Sequence, residues 1–169
     1  MERYNQIIRI QLALQQATQS DEHLPFGTGQ FDLVLNKHES YSPQEVRRVL
    51  ADGGFFFTQQ ADGSDCFEIN ERFCVPKNEE FAEWKLDIAV REVQEHRFKV
   101  VKQAEQFLSQ RFYDVGALVY YLKAIPWQIP DFEAEKYREE LYGIHQLIER
   151  QGYFEVTQHR FYLLATALS

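Results

Sequence analysis

Apolar positions in this chain change their spacing from one stretch to the next. FDLVLN, Phe31 to Asn36, is a short continuous apolar run of strand length, the pattern of a strand covered on both faces. Ser-Pro-Gln-Glu follows at 42–45, with Ser42 placed to cap a helix, Pro43 at its first position and Glu45 at its third. Val46, Val49 and Leu50 then fall on one helical face, and Asp52-Gly53-Gly54 is expected to stop the helix with a glycine at positive φ. GFFFTQQ, Gly54 to Gln60, returns to a strand pattern. Strand, helix and strand with apolar strands make a βαβ unit, for which a right-handed crossover is expected.

The rest of the chain alternates in the same way. Ile8, Ile10, Leu12 and Leu14 alternate with polar or small residues as in a strand, although Ile7, Ile10 and Leu14 also stand at helical spacing. TQSDEHLPFGTGQ reads as loop. Asp65–Phe73 reads as a short helix. Glu79–His96 reads as an amphipathic helix with Phe81, Trp84, Leu86, Ile88, Ala89 and Val93 toward its buried side. RFKVVKQAEQFL is a strand, Tyr113–Lys123 a helix ending before Pro126, and Ala134–Gln151 a helix closed by Gly152. Phe154–Ala165 is a last strand with Phe161, Leu163 and Ala165 on one face. Roughly five strands and five helices define an α/β domain, and the 169 residues read as a single domain in which 1–19 form a strand or arm.

Composition narrows the function classes. The chain is 44% hydrophobic, with a formal net charge of -8 and a sequence pI of about 5.1. A broad basic face for nucleic acid is therefore not expected. No apolar run approaches the roughly 18 residues of a membrane span, and MERYNQIIRI lacks a signal-peptide layout. Cys66 and Cys74 have no matching Cys/His cluster, so plain thiols and no metal site are expected, and by elimination a cytoplasmic protein.

The ordered set Leu24-Pro25-Phe26, Phe31-Asp32-Leu33-Val34, Arg48-Val49-Leu50 and Gly53-Gly54 resembles class I S-adenosylmethionine-dependent methyltransferases. The family's usual text has SFD where this chain has QFD, and KPGG where it has ADGG. NKHESY, FFFTQQ and RFYDVGALVYYLKAIPWQIP look like one bacterial branch of uncharacterised members. The resemblance implies a partial Rossmann-like sheet, mostly parallel with an antiparallel last strand, and helices on both faces. It places LPF…FDLV before the family's fourth strand. The family's glycine-rich loop and ribose-gripping acid belong further upstream, so the chain reads as the C-terminal portion of such a domain.

Residues at the carboxyl end of a buried parallel strand face the ligand crevice of an open α/β sheet. Methyl transfer from a sulfonium needs in-line positioning and sometimes a base. Asn36 and His38 are accordingly the catalytic candidates. Asn36 can hydrogen-bond a cofactor, and His38 has a side chain able to take a proton near neutrality; the plainer alternative is that His38 packs the strand end. The resemblance implies S-adenosylmethionine contacts from Asp21, Glu22, Leu24, Asn36 and Lys37. Substrate contacts are expected from Tyr41, Gln60, Arg111, Tyr113 and Trp127. Neither glycine pair, Gly27/Gly29 or Gly53/Gly54, leads from a strand into a helix, so cofactor binding by the isolated chain is expected to be weak or absent. Two functions compete: a methyltransferase of unknown substrate, and a non-catalytic remnant used for assembly or interaction. A homodimer built on the N-terminal region is expected, because Phe31–Asn36 lacks the neighbouring strand it has in complete family members.

Overall fold

The computed structural model describes residues 21–169. The Ile8–Leu14 strand expected from alternation lies outside the described residues. In chain order the elements are β1 (Phe31–Lys37), α1 (Pro43–Val49), β2 (Leu50–Ala61), α2 (Phe67–Phe73), α3 (Leu86–Glu95), β3 (Phe98–Phe112), α4 (Val115–Ala124), α5 (Arg138–Gln151) and β4 (Phe154–Ala167). The described residues thus give four strands in one sheet, ordered β1-β2-β4-β3, and five helices.

β1 and β2 pair in parallel, with Val34 beside Phe56, Leu35 beside Phe57 and Asn36 beside Thr58. β4 runs against β2, since Phe57 stacks on Tyr162 and the Thr166 hydroxyl donates to the Gly53 carbonyl. It also runs against β3: the Leu168 N–H donates to Arg97 O, and Arg111 pairs with Glu155. β1, β2 and β3 therefore point one way and the last strand the other, as the sequence reading expects.

The start of α1 follows its residues. The Ser42 hydroxyl accepts from the Glu45 N–H at 3.4 Å, with Pro43 in the first turn. Its end does not. Leu50 is already extended at φ -81, ψ 137, and the strand begins there rather than at Gly54. From Phe31/Leu50 to Leu33/Phe55 the pairing advances further on β2 than on β1. Ala51-Asp52-Gly53-Gly54 is thus a bulge inside β2, with Gly53 at φ +77.

α3 is shorter than its apolar periodicity suggests. Residues 79–83 form turns, with Trp84 N–H bonding Phe81 O and the Trp84 carbonyl accepting from the Gly63 N–H at 2.8 Å. Phe81 is exposed and only Leu86, Ala89 and Val93 of the helix are buried. α5 likewise starts at Arg138 rather than Ala134, because Phe132 and Tyr137 stack in a turn that precedes it. Gly152 closes it at φ 94, the left-handed position that favours glycine.

The chain divides into two compact units: the described residues up to Gln60 with Lys85–Glu105 and Phe161–Ser169, and Ala61–Trp84 with Gln106–Arg160. Each has its own core. In the first, Val34, Phe56 and Leu163 lie beneath Val46 and Val49 of α1 and Val93 of α3. In the second, Phe112, Phe154 and Val156 pack with Ile69, Leu118, Leu122, Ile144 and Ile148. On β4 the buried positions are even-numbered at 154 and 156 and odd-numbered from 161 to 167. Among the described residues no helix is long and apolar enough to cross a membrane.

Candidate functional site

The carboxyl ends of β1 and β2 carry a layer of neutral polar side chains. Asn36 faces Thr58 across the parallel pair, and its side-chain oxygen accepts from Thr58 Oγ1 at 2.9 Å and from Gln60 Nε2 at 2.7 Å. The same Gln60 nitrogen lies 3.0 Å from the Glu39 carbonyl and 2.8 Å from Thr58 Oγ1. Asn36 Nδ2 reaches the Ser40 carbonyl at 3.3 Å. Thr58 is fully buried and Gln60 nearly so, which makes this layer part of the interior. Asn36 and Gln60 were expected to face a ligand; they are brought together, and they bond to each other. Thr58, the residue that joins them, carries no sequence signal: it is one polar residue in a run of phenylalanines and glutamines.

Beyond the strand ends the chain turns at His38, whose φ of 56 is left-handed and whose N–H donates to Gln59 O at 2.9 Å. His38, Lys37 and Glu22 are exposed. The Asp21 carboxylate accepts from the Ser40 hydroxyl. Tyr41 packs edge-on to Phe56 at 5.0 Å, at the margin of the core. Burial, with the charge of Glu92 adding, raises its phenol above the ordinary range, so it stays protonated.

Leu24 belongs to a second constellation that the sequence did not single out. Its N–H donates to Glu45 Oε2 at 2.9 Å and its carbonyl accepts from Arg48 Nη2 at 3.0 Å. Arg48 Nη1 also donates to Phe26 O at 2.7 Å, while Arg48 Nε and Nη2 pair with Glu45 at 2.7 Å each. The LPF turn is thus held by a carboxylate and a guanidinium one turn apart on α1. Arg48 hydrogen-bonds the Glu45 carboxyl and, against the cost of burial, brings its pKa down to about 2, with the Leu24 N–H contributing.

A depression of about 540 Å³ opens at the other end of the β1–β2 pair, lined by Gly29, Arg47, Arg48, Ala51, Asp52 and Arg97 among others. Its arginines are engaged by protein groups. Arg47 bonds Asp52, Leu50 O at 3.1 Å and Leu168 O; Arg97 bonds Ser169 O. It lies away from the strand ends and holds none of the residues nominated from sequence.

In the second unit, Arg111 pairs with Glu155 at 2.5 Å and lies over the Tyr153 ring at 4.2 Å. Tyr113 and Trp127 are more than half exposed. Asp114 caps α4 by accepting from the Ala117 N–H at 2.8 Å. The polar cluster here is another: Ser64 Oγ donates to Asp62 Oδ1 at 2.5 Å and lies 3.0 Å from His159 Nδ1. Phe107 stacks on that imidazole at 4.2 Å. The Ser64 N–H also donates to Asp62 Oδ1, so the aspartate organises a turn. One ring nitrogen faces both the serine and the aspartate, which is not the relay of a hydrolytic triad. Asp65 beside it holds Arg160 at 2.8 Å and the His159 N–H at 2.8 Å. Both cysteines are free thiols, Cys66 buried and Cys74 exposed.

No protein-family model matches the chain, and no curated protein matches it in sequence. Its fold is similar to that of a Bacillus halodurans C-125 protein named as a candidate methyltransferase: TM-score 0.59 and 13% identity, over 89% of this chain and 76% of that one. It is also similar to the YcgJ protein of Bacillus subtilis, with TM-score 0.53 and 13% identity over 89% and 69%. A Galdieria sulphuraria protein named as a candidate sarcosine dimethylglycine methyltransferase matches at 15% identity and TM-score 0.45, this chain spanning 57% of its length. At these identities the likeness is one of fold: an α/β, Rossmann-like sheet of the methyltransferase kind with an antiparallel last strand.

Proposed function

We propose that this is an S-adenosylmethionine-dependent methyltransferase-like protein of unassigned substrate, and that the isolated chain is impaired as an enzyme. The observation that carries the reading is the bonding of Asn36 to Thr58 and Gln60 at the carboxyl ends of the parallel strands. In the fold, that is where a ligand sits. The methyltransferase fold supports the class. The bonding supports the impairment, because Asp21, Leu24 and Asn36, three of the five residues nominated for the cofactor, have their polar groups used within the protein. Asp21 serves Ser40, the Leu24 backbone serves Glu45 and Arg48, and Asn36 serves Thr58 and Gln60. These residues do not fit a bound S-adenosylmethionine without giving up existing hydrogen bonds, each of net worth about 1 kcal/mol. Gly53 and Gly54 lie inside β2 and Gly27 and Gly29 precede β1, so neither pair offers a helix N-terminus to a ligand.

The burial of Thr58 and Gln60 favours a second reading, a non-catalytic assembly or interaction protein that keeps the sheet and has turned its strand-end layer into core. Calorimetric titration of the chain with S-adenosylmethionine tests both. No binding, or a dissociation constant weaker than about 100 μM, which corresponds to roughly -5.5 kcal/mol, is expected. Tighter binding overturns the impairment, and tighter binding lost in Asn36→Ala restores the enzymatic reading with Asn36 in the site.

A further inference from the structure

Among the described residues β3 is an edge of the sheet: the order β1-β2-β4-β3 gives it β4 as its one neighbour. It runs for 15 residues, where about five or six are usual for a strand. From Val101 to Ser109 every residue except Ala104 is exposed. The exposed side chains include Val101 at 54%, Phe107 at 64% and Leu108 at 42%. Phe107 stacks on His159 and Lys102 lies over the Tyr162 ring at 5.8 Å, so both of these contacts go inward, to β4. Proteins blunt long edges with bulges, charges or short strands. β3 carries Lys99, Lys102, Glu105 and Arg111, yet large apolar residues stand among them.

The apolar pattern of β3 is symmetric about Ala104. Val101 and Phe107 lie three residues to either side of it, and Val100 and Leu108 four. When two identical strands pair antiparallel about a two-fold axis, residue i faces j and j faces i. With Ala104 on the axis, Val101 faces Phe107 and Val100 faces Leu108. Lys99 then faces Ser109, Lys102 faces Gln106, and Glu105 faces Gln103, so between 98 and 110 no charge meets another. Centring on Glu105 instead sets that carboxylate against itself and Lys99 against Arg111. Centring on Gln103 sets Val101 against Glu105 and Lys99 against Phe107. Apolar pairs directly opposite stabilise a sheet and like charges destabilise it, which selects the Ala104 register. A partner of unrelated sequence has no reason to repeat this symmetry; a second copy of β3 repeats it by construction.

We infer that β3 is a homodimer interface, in which two copies pair antiparallel through their β3 edges with Ala104 on the two-fold axis. Outward main-chain N–H and C=O groups supply the ladder, as in other strand-addition complexes, and the facing side chains set the register. The inference is independent of any methyltransferase activity, and the surface differs from the N-terminal region that the sequence suggested for a dimer. The test uses the full chain. Light scattering during gel filtration over a dilution series is expected to give twice 20.1 kDa at tens of micromolar; a monomer there overturns the inference. Val101→Glu/Phe107→Glu sets carboxylates opposite one another at two places, and its dimer is expected to weaken about tenfold or more. A dimer of unchanged strength in that variant overturns the inference. Cross-linking covers the case where the double variant does not fold. In Ala104→Cys/Cys74→Ser the two axial Cα atoms stand about 4.5–5.5 Å apart, within disulfide reach, and mild oxidation is expected to join residue 104 to residue 104. In Ser109→Cys/Cys74→Ser the two positions stand roughly 30 Å apart in this register and should not join. No link at 104, or a link at 109 that forms as fast, overturns the inference.

Discussion

The side-chain nitrogen of Gln60 lies 2.7 Å from the side-chain oxygen of Asn36, across two parallel strands whose carboxyl ends are the ligand end of this fold. Removing the oxygen leaves the buried Thr58 hydroxyl without its acceptor, while Gln60 Nε2 keeps the Glu39 carbonyl. Asn36→Ala is expected to cost about 1–3 kcal/mol in urea unfolding. Gln60→Ala alone is expected to cost less, because the Thr58 hydroxyl keeps its acceptor. The double variant should cost less than the sum of the singles, since both lose the same bond. Additive costs would mean that the two amides do not act as one network.

Glu45 links stability to pH. Arg48 holds its carboxyl at about 2, below the unfolded value of 4.5. A lowered carboxylate means that the unfolded chain binds the extra proton first, so stability rises with pH between those values. The contribution is complete above about pH 4.5 and is lost as pH falls toward 2. Glu45→Gln is expected to flatten the stability profile across that window and to cost about 1–3 kcal/mol at neutral pH. Urea melts at several pH values read this directly; an unchanged slope would assign the acid sensitivity to other carboxylates.

Gly63 has no room for a side chain. A β-carbon there would stand 2.1 Å from Phe81 O and 2.7 Å from Ala82 O, both backbone atoms. Gly63→Ala must displace the turn that fixes Trp84, and a loss of about 2–4 kcal/mol is expected from denaturant midpoints. Gly143→Ala, where a β-carbon meets nothing within 4 Å, is the control. It sits inside α5 and should be stabilising by a few tenths to about 1 kcal/mol.

The two thiols should differ in reactivity. Burial, with the nearby Asp65 charge adding, pushes Cys66 up to about 12, so its thiolate is scarce at neutral pH. Cys74 is exposed. A thiol-reactive chromophore is expected to label Cys74 alone in the native chain and both residues in urea. Native labelling of Cys66 at a comparable rate would mean that the second core opens readily.

The parts of this molecule that were legible in its sequence are those whose causes are local. Phe31–Lys37, the Ser42 cap and the Gly152 stop each rest on neighbours within a turn or two, and each appears where its residues place it. The errors fell where a distant partner overrides a local pattern. Glu79–Lys85 has helical apolar spacing but is tied into turns through the Gly63–Trp84 bond, and Asp52-Gly53 reads as a helix stop but bulges inside a strand. The candidate site was half legible. Asn36 and Gln60 were nominated by position at strand ends, but that they would consume each other depends on the β1–β2 register. Glu45 with Leu24, and Ser64 with His159, are far apart in sequence and carry no motif that joins them.

The sheet order has a consequence for the timing of folding. β2 and β3 do not touch as neighbours; β4 lies between them and comes last in the chain. β1, α1 and β2 can assemble from contacts close in sequence, but the core formed by Phe56, Phe98 and Leu163 needs partners far apart along the chain. Until residues 161–167 emerge from the ribosome, β2 and β3 each present an open edge and half of a hydrophobic layer. Such pairings of high contact order are slow and leave a nascent chain exposed to aggregation. A strand that follows β2 and β3 in sequence yet lies between them leaves the first core incomplete until it is in place.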